Sequence, residues 1–129
     1  MIEFIAETGS TSADLAARLR AGVYLVEGSW LVADRQTAGK GRRGRTWQDG
    51  SGNFMGSTVV QARSGDPQPA TLALVVGLAV REAAAACLPV GAQATLKWPN
   101  DVLIDGAKLA GILLERVDDA IVIGIGVNL

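Results

Sequence analysis

The dipeptide Asp105-Gly106 stands between two apolar runs, Val102-Leu103-Ile104 and Leu109 to Leu114. Asp-Gly between such runs fits a two-residue turn whose twist matches its flanking strands. The last third must therefore hold an antiparallel hairpin. Leu109 to Leu114 is apolar almost without a break, as expected of a strand covered on both faces. A second turn at Asp118-Asp119 sends Ile121-Val122-Ile123 back, and the chain ends Gly124-Ile125-Gly126-Val127-Asn128-Leu129. This is a strand meander. Earlier strands are predicted at Ile2 to Ala6, Trp30 to Asp34, Phe54 to Val60 and Ala94 to Trp98. Two helices interrupt them. A short one carries Leu15, Ala16 and Leu19 on one face, follows the hydroxyl cluster Ser10-Thr11-Ser12 and stops at Gly22. Thr11 and Asp14 have the spacing of a capping box. Ala70 to Leu88 reads as a long apolar helix lying across a sheet as the main core helix, with Pro89 after its end. The fold class is α+β, a mixed β-sheet with helices packed on one side.

Composition removes several chemistries. The chain has 129 residues, 49% of them apolar, which suits one domain spanning 1–129. It has no histidine, so His-based triads and His-ligated metals are excluded. Cys87 is the sole cysteine; it follows an alanine run and reads as a small buried hydrophobe in a reducing cytoplasm. The N-terminus lacks the basic leader of a signal peptide. The most hydrophobic window, Ala70 to Val80, is too short to span a bilayer, so no membrane partner is expected.

Against a net charge of −1, one stretch concentrates cations: Gly39-Lys40-Gly41-Arg42-Arg43-Gly44-Arg45-Thr46-Trp47. Arginine forks match phosphate or carboxylate oxygens, and glycines let the backbone approach a ligand closely. The bland alternative is a solvated surface turn or a patch touching nucleic acid nonspecifically. The slightly acidic domain and the lack of interleaved aromatics argue against a specific nucleic acid partner. Gly39, Gly41 and Gly44 fit the letters of a dinucleotide fingerprint, but turn formers from Gln48 to Asn53 follow where a helix would be needed.

Other candidates each have a plain structural reading. Lys108 leads into a buried strand and could be a snorkelling edge residue, or an ammonium at the mouth of a sheet. Gly124 and Gly126 could be strand-end bends, or a flat wall for a ligand. Trp47 and Trp98 could fill core, and Asn100-Asp101 could make a turn.

Together these pieces form a series: Ser10-Thr11; Gln36 with Gly39 to Trp47; Lys97-Trp98-Pro99-Asn100-Asp101; Lys108-Leu109-Ala110-Gly111-Ile112-Leu113; and Gly124-Ile125-Gly126-Val127-Asn128. The series resembles the catalytic domain of biotin–protein ligases, in the family's order and spacing, from near residue 1 to residue 129. The resemblance implies a fold related to class II aminoacyl-tRNA synthetases. It implies activation of biotin by Mg-ATP to biotinyl-5′-AMP, then transfer to a lysine of a biotin carboxyl carrier domain. By the same resemblance, Lys108 and Arg42 are the catalytic pair. Ser10, Thr11, Gln36, Gly39, Lys40, Lys108, Gly111 and Gly124 bind biotin. Arg42, Arg43, Arg45, Trp47, Asn100, Asp101 and Asn128 bind the nucleotide or adenylate, with Trp47 over the adenine. Mg²⁺ arrives with ATP, with no firm protein ligand.

Lys40 stands where the family usually has arginine, and Ser12 where it usually has asparagine. The expected domain has no N-terminal DNA-binding unit and no C-terminal SH3-like unit. The resemblance leaves a homodimer open. The alternative function is a non-catalytic module that binds biotin or its adenylate.

Overall fold

The computed structural model describes all residues, 1–129. Its strands are β1 (Ile2–Thr8), β2 (Trp30–Gln36), β3 (Phe54–Gln61), β4 (Ala94–Lys97), β5 (Asp101–Ile104), β6 (Ala107–Val117) and β7 (Ala120–Val127). Its helices are α1 (Thr11–Arg20) and α2 (Pro69–Cys87), with a single 3₁₀ turn at Arg42–Gly44. All seven strands form one sheet in the order β1-β2-β3-β7-β6-β5-β4. Only β1 and β2 run parallel, and α1 supplies the crossover that a parallel pair requires. The Asp105-Gly106 turn joins β5 to β6, with both turn residues in the left-handed region. The meander of β5, β6 and β7 is antiparallel, as the turn residues demand.

The α+β class and the mixed sheet are as expected. The placement of the helices on one side needs a finer statement, because successive strand residues face opposite ways. On β7, Val122 packs with Leu15, Ala16 and Leu31 under α1, whereas Ile121 and Ile123 pack with Val76 of α2. The long helix thus covers one face of the sheet. The short helix covers part of the other face and leaves the remainder open as a cavity. Leu31, Val59, Val102 and Val122 are fully buried, each worth about 1.5–3 kcal/mol of apolar transfer.

α1 begins where the sequence indicates, but its cap differs. Ser10 is the N-cap, its Oγ accepting from the Ala13 amide at 3.4 Å. Asp14 instead accepts from the Thr8 hydroxyl, so no Thr11–Asp14 capping box forms. Thr11 is left free to turn toward the sheet.

α2 also departs from expectation. It lies across the sheet, but only the stripe carrying Leu72, Val76 and Val80 packs on the strands. Val76 and Gly77 alone are buried, while Leu74, Val75 and Leu78 are exposed. Cys87, expected in the core, sits exposed at the helix end. At 19 residues and a mean hydropathy of 1.7, α2 is long and apolar enough to cross a bilayer by length and composition. The short window expected from the sequence is extended by Ala83 to Ala86, which carry it past Arg81 and Glu82.

Candidate active site

The open part of the α1 face is a cavity of about 360 Å³. Its floor is the sheet. Alternation places Ser57 of β3, Gly124 and Gly126 of β7, and Gly111 and Leu113 of β6 in one side-chain row. The start of α1 closes one end with Ser10, Thr11 and Ser12; the basic loop forms the rim. Five cations line the cavity, namely Lys40, Arg42, Arg43, Arg45 and Lys108, against a single carboxylate, Asp101. An excess of positive charge in a cleft walled by low-dielectric protein attracts anions.

The loop is held by its own backbone. The Gly41 amide donates to the Arg45 carbonyl at 2.7 Å, and the Trp47 amide to the Gly39 carbonyl at 2.9 Å. Arg43 and Gly44 both take left-handed backbone angles, with φ of 55° and 72°. Arg42 Nη1 reaches back to donate to Asn100 Oδ1 at 3.0 Å. Asn100 is itself fixed to β6: its carbonyl accepts from the Ile112 amide at 3.1 Å, and its Nδ2 donates to the Ile112 carbonyl. Lys108 Nζ lies 3.3 Å from Asp101 Oδ1 and 5.2 Å from the centroid of the Trp47 ring.

Trp47 lies against the glycine wall. A Cβ added at Gly126 would fall 2.4 Å from Trp47 Cζ2, and one at Gly111 2.8 Å from Trp47 Cζ3. Glycine is needed at both places for this close approach. The indole Nε1 is buried without a hydrogen-bond partner, an uncommon state for a buried donor.

At the α1 end the polar groups are paired among themselves. Gln36 Oε1 accepts from the Thr11 amide at 2.8 Å and from Thr11 Oγ1 at 3.1 Å. Ser57 Oγ lies 2.7 Å from Thr11 Oγ1 and 2.9 Å from Ser12 Oγ.

Of the residues given a catalytic or binding role by the resemblance, Ser10, Thr11, Gln36, Lys40, Arg42, Arg43, Arg45, Trp47, Asn100, Asp101, Lys108, Gly111 and Gly124 line this one cavity. Two do not. Gly39 stands behind Trp47, with room for no Cβ between the Trp47 carbonyl and Gln36. Asn128 ties strand ends together, its Nδ2 donating to the Lys108 carbonyl at 3.0 Å while Asn53 donates to its Oδ1. Ser57 and Leu113 line the cavity and were not singled out. The available signal for Ser57 was a small polar residue on the inward row of an apolar strand.

Comparison with known proteins places the chain in a family. Residues 24–128 match the family model described as the biotin/lipoate A/B protein ligase family. The chain belongs to that family. It is 42% identical to the biotin–[acetyl-CoA-carboxylase] ligase of Paracoccus denitrificans over 97% of this chain and 53% of that protein. It is also 42% identical to the Mycobacterium tuberculosis protein of the same name, over 98% of this chain and 48% of the relative. Among solved structures, the Aquifex aeolicus biotin protein ligase in complex with biotin and ATP superposes with a TM-score of 0.86 at 34% identity, covering 99% of this chain and 52% of that one. The Helicobacter pylori biotin acetyl coenzyme A carboxylase synthetase with bound biotinylated ATP gives 0.86 at 27%, over 99% and 60%. The chain thus spans about half the length of the Paracoccus denitrificans and Mycobacterium tuberculosis relatives.

Proposed function

We propose that this chain activates biotin with Mg-ATP, forming biotinyl-5′-AMP and pyrophosphate, and passes the biotinyl group to a lysine of a biotin carboxyl carrier domain. The observation that carries the reading is the gathering of Lys108, Arg42 and the glycine-floored wall into one cationic cavity, in a chain similar to ligases of that name.

Two anions must meet in the first step. The biotin carboxylate oxygen bonds to the α-phosphorus, and the bond from that phosphorus to the pyrophosphate oxygen breaks. Positioned cations offset the repulsion and stabilise charge developing on the phosphate. Lys108, at the junction of the glycine wall and the basic rim, is placed to bridge carboxylate and phosphate. Arg42, anchored through Asn100, supports the phosphate side. Ser10, Thr11, Gln36 and Lys40 hold biotin at the closed end, with its thin ring over Gly111 and Gly124. Arg43, Arg45 and Asp101 sit on the nucleotide side. Trp47 leaves the glycine wall to cover the adenine as the loop closes and keeps water from the anhydride. Asn128 contributes by fixing the backbone of Lys108. In the second step the carrier's lysine amine attacks the biotinyl carbonyl and AMP leaves.

Mg²⁺ belongs to the nucleotide in this scheme. The cavity offers one carboxylate, already beside Lys108, and no group of three metal-binding side chains exists. A hard cation sharing phosphate oxygens needs no protein cage. The reaction belongs in the cytoplasm, with the chain alone or paired as a homodimer and without a specific nucleic acid or membrane partner.

Calorimetric titration with biotin, with and without Mg-ATP, tests the proposal. Biotin binding accompanied by heat that requires both ligands is the expected result. Biotin binding that ignores Mg-ATP would support a non-catalytic binding module, and no biotin binding would end the reading.

A further inference from the structure

The polar end of the cavity contains a chain of groups whose protons can be followed one by one. The Thr11 backbone N–H can only donate, so the Gln36 atom it meets at 2.8 Å must be the amide oxygen. That oxygen also lies 3.1 Å from Thr11 Oγ1 and can only accept, so the Thr11 hydroxyl proton points to it. A hydroxyl has a single proton. Thr11 Oγ1 must then accept from Ser57 Oγ at 2.7 Å. Ser57, its proton spent, accepts from Ser12 Oγ at 2.9 Å. The direction is therefore Ser12 to Ser57 to Thr11 to Gln36, and Ser12 Oγ retains only lone pairs. Ser57 is fully buried.

Ser12 Oγ stands against the glycine wall: a Cβ added at Gly124 would fall 2.3 Å from it. The other end of the relay has the opposite character, because the Gln36 oxygen is doubly used while its Nε2 donates to no protein group.

We propose that Ser57 is a positioning residue that fixes the direction of this relay, making Ser12 Oγ an obligate acceptor that selects ligands carrying an N–H. A cyclic urea, with N–H groups beside a carbonyl, complements an acceptor at Ser12 and a donor at Gln36. A ring lacking the N–H leaves the Ser12 oxygen facing a second acceptor or nothing. The inference rests on the biotin reading above and adds to it the group that enforces selection.

The test compares affinity for biotin with affinity for carbamate analogues in which oxygen replaces each ureido N–H in turn, by calorimetry on the wild-type chain and on Ser57→Ala. In the wild type, the analogue altered at the N–H facing Ser12 should bind about 100-fold more weakly than biotin. In Ser57→Ala the Ser12 proton is free to turn toward the ligand, and the ratio should fall below about tenfold. A purely structural serine would weaken both ligands together and leave the ratio unchanged, which would overturn the inference. Should Ser57→Ala fail to fold, Ser57→Cys keeps the side-chain shape with a weaker acceptor for the Ser12 proton, and the same fall in ratio is expected. A wild-type ratio near one also refutes the relay while leaving biotin binding intact. A wild-type chain that binds no biotin refutes the proposed function itself.

Discussion

Replacing Lys108 with alanine separates chemistry from stability. The ammonium is about half exposed, with a side-chain accessibility of 45%, and its partner Asp101 keeps 27%. Asp101 can therefore be rehydrated when the lysine is lost. A pair of this kind contributes at most about 1 kcal/mol to folding, so the variant should melt close to the wild type. The effect on reaction is larger. A unit charge about 4 Å from a developing negative charge is worth about 4 kcal/mol at an effective dielectric of 20, but only about 1 kcal/mol in bulk water. The partly exposed site in its closed-loop state lies between these limits. A loss of between about 5-fold and about 10³-fold in adenylate formation follows, the upper end comparable to removing one preorganised donor from an oxyanion site. Biotin-dependent exchange of labelled pyrophosphate into ATP reads this directly. An unchanged exchange rate in a folded variant would refute the role given to Lys108. A large drop in melting temperature would show that the lysine is chiefly structural.

Three further outcomes follow from packing and charge. Gly126→Ala puts a methyl into the Trp47 ring, so the indole should leave the wall at a cost of about 1–3 kcal/mol; its emission should shift to the red, with Trp47→Phe as the reference, and an unmoved spectrum would contradict the close approach. Leu31→Ala, at a fully buried site under α1, should cost about 2–5 kcal/mol in denaturant unfolding. Glu3 accepts two hydrogen bonds from Arg18, which hold its carboxyl below the ordinary value of 4.5. A depressed carboxylate stabilises the fold above its unfolded pKa and loses that contribution as pH falls through its folded pKa. Glu3→Gln should therefore flatten the stability decline below about pH 4.5, and an identical acid limb would remove the pair from the account.

The sheet was largely legible from its turns. Asp105-Gly106 and Asp118-Asp119 each sit between apolar runs, and turn chemistry leaves little freedom there. The strands they join then bring Lys108 and the glycines of β7 to the cavity that the loop carrying the cations of residues 40–45 borders. What could not be read depends on which side a residue faces. α2 is apolar around most of its circumference, so composition suggests a buried helix, yet one stripe meets the sheet and Cys87 stays outside. Ser57 lies within an apolar strand, and its place in the cavity follows only from the row it shares with Gly124. Thr11 has the spacing of a cap, but Ser10 takes that task and Thr11 joins the cavity. Asn128 stands beside the site motif in sequence but spends its amide on the Lys108 carbonyl. Local patterns fix where a strand runs, whereas pairing across distant strands decides which side chains share a face.

The most direct test of the central claim is mass spectrometry of the purified chain incubated with biotin and Mg-ATP. The account predicts biotinyl-5′-AMP formed together with pyrophosphate, and neither when biotin is omitted. Biotin bound by the folded chain, with ATP left intact and no adenylate at any time, would contradict it.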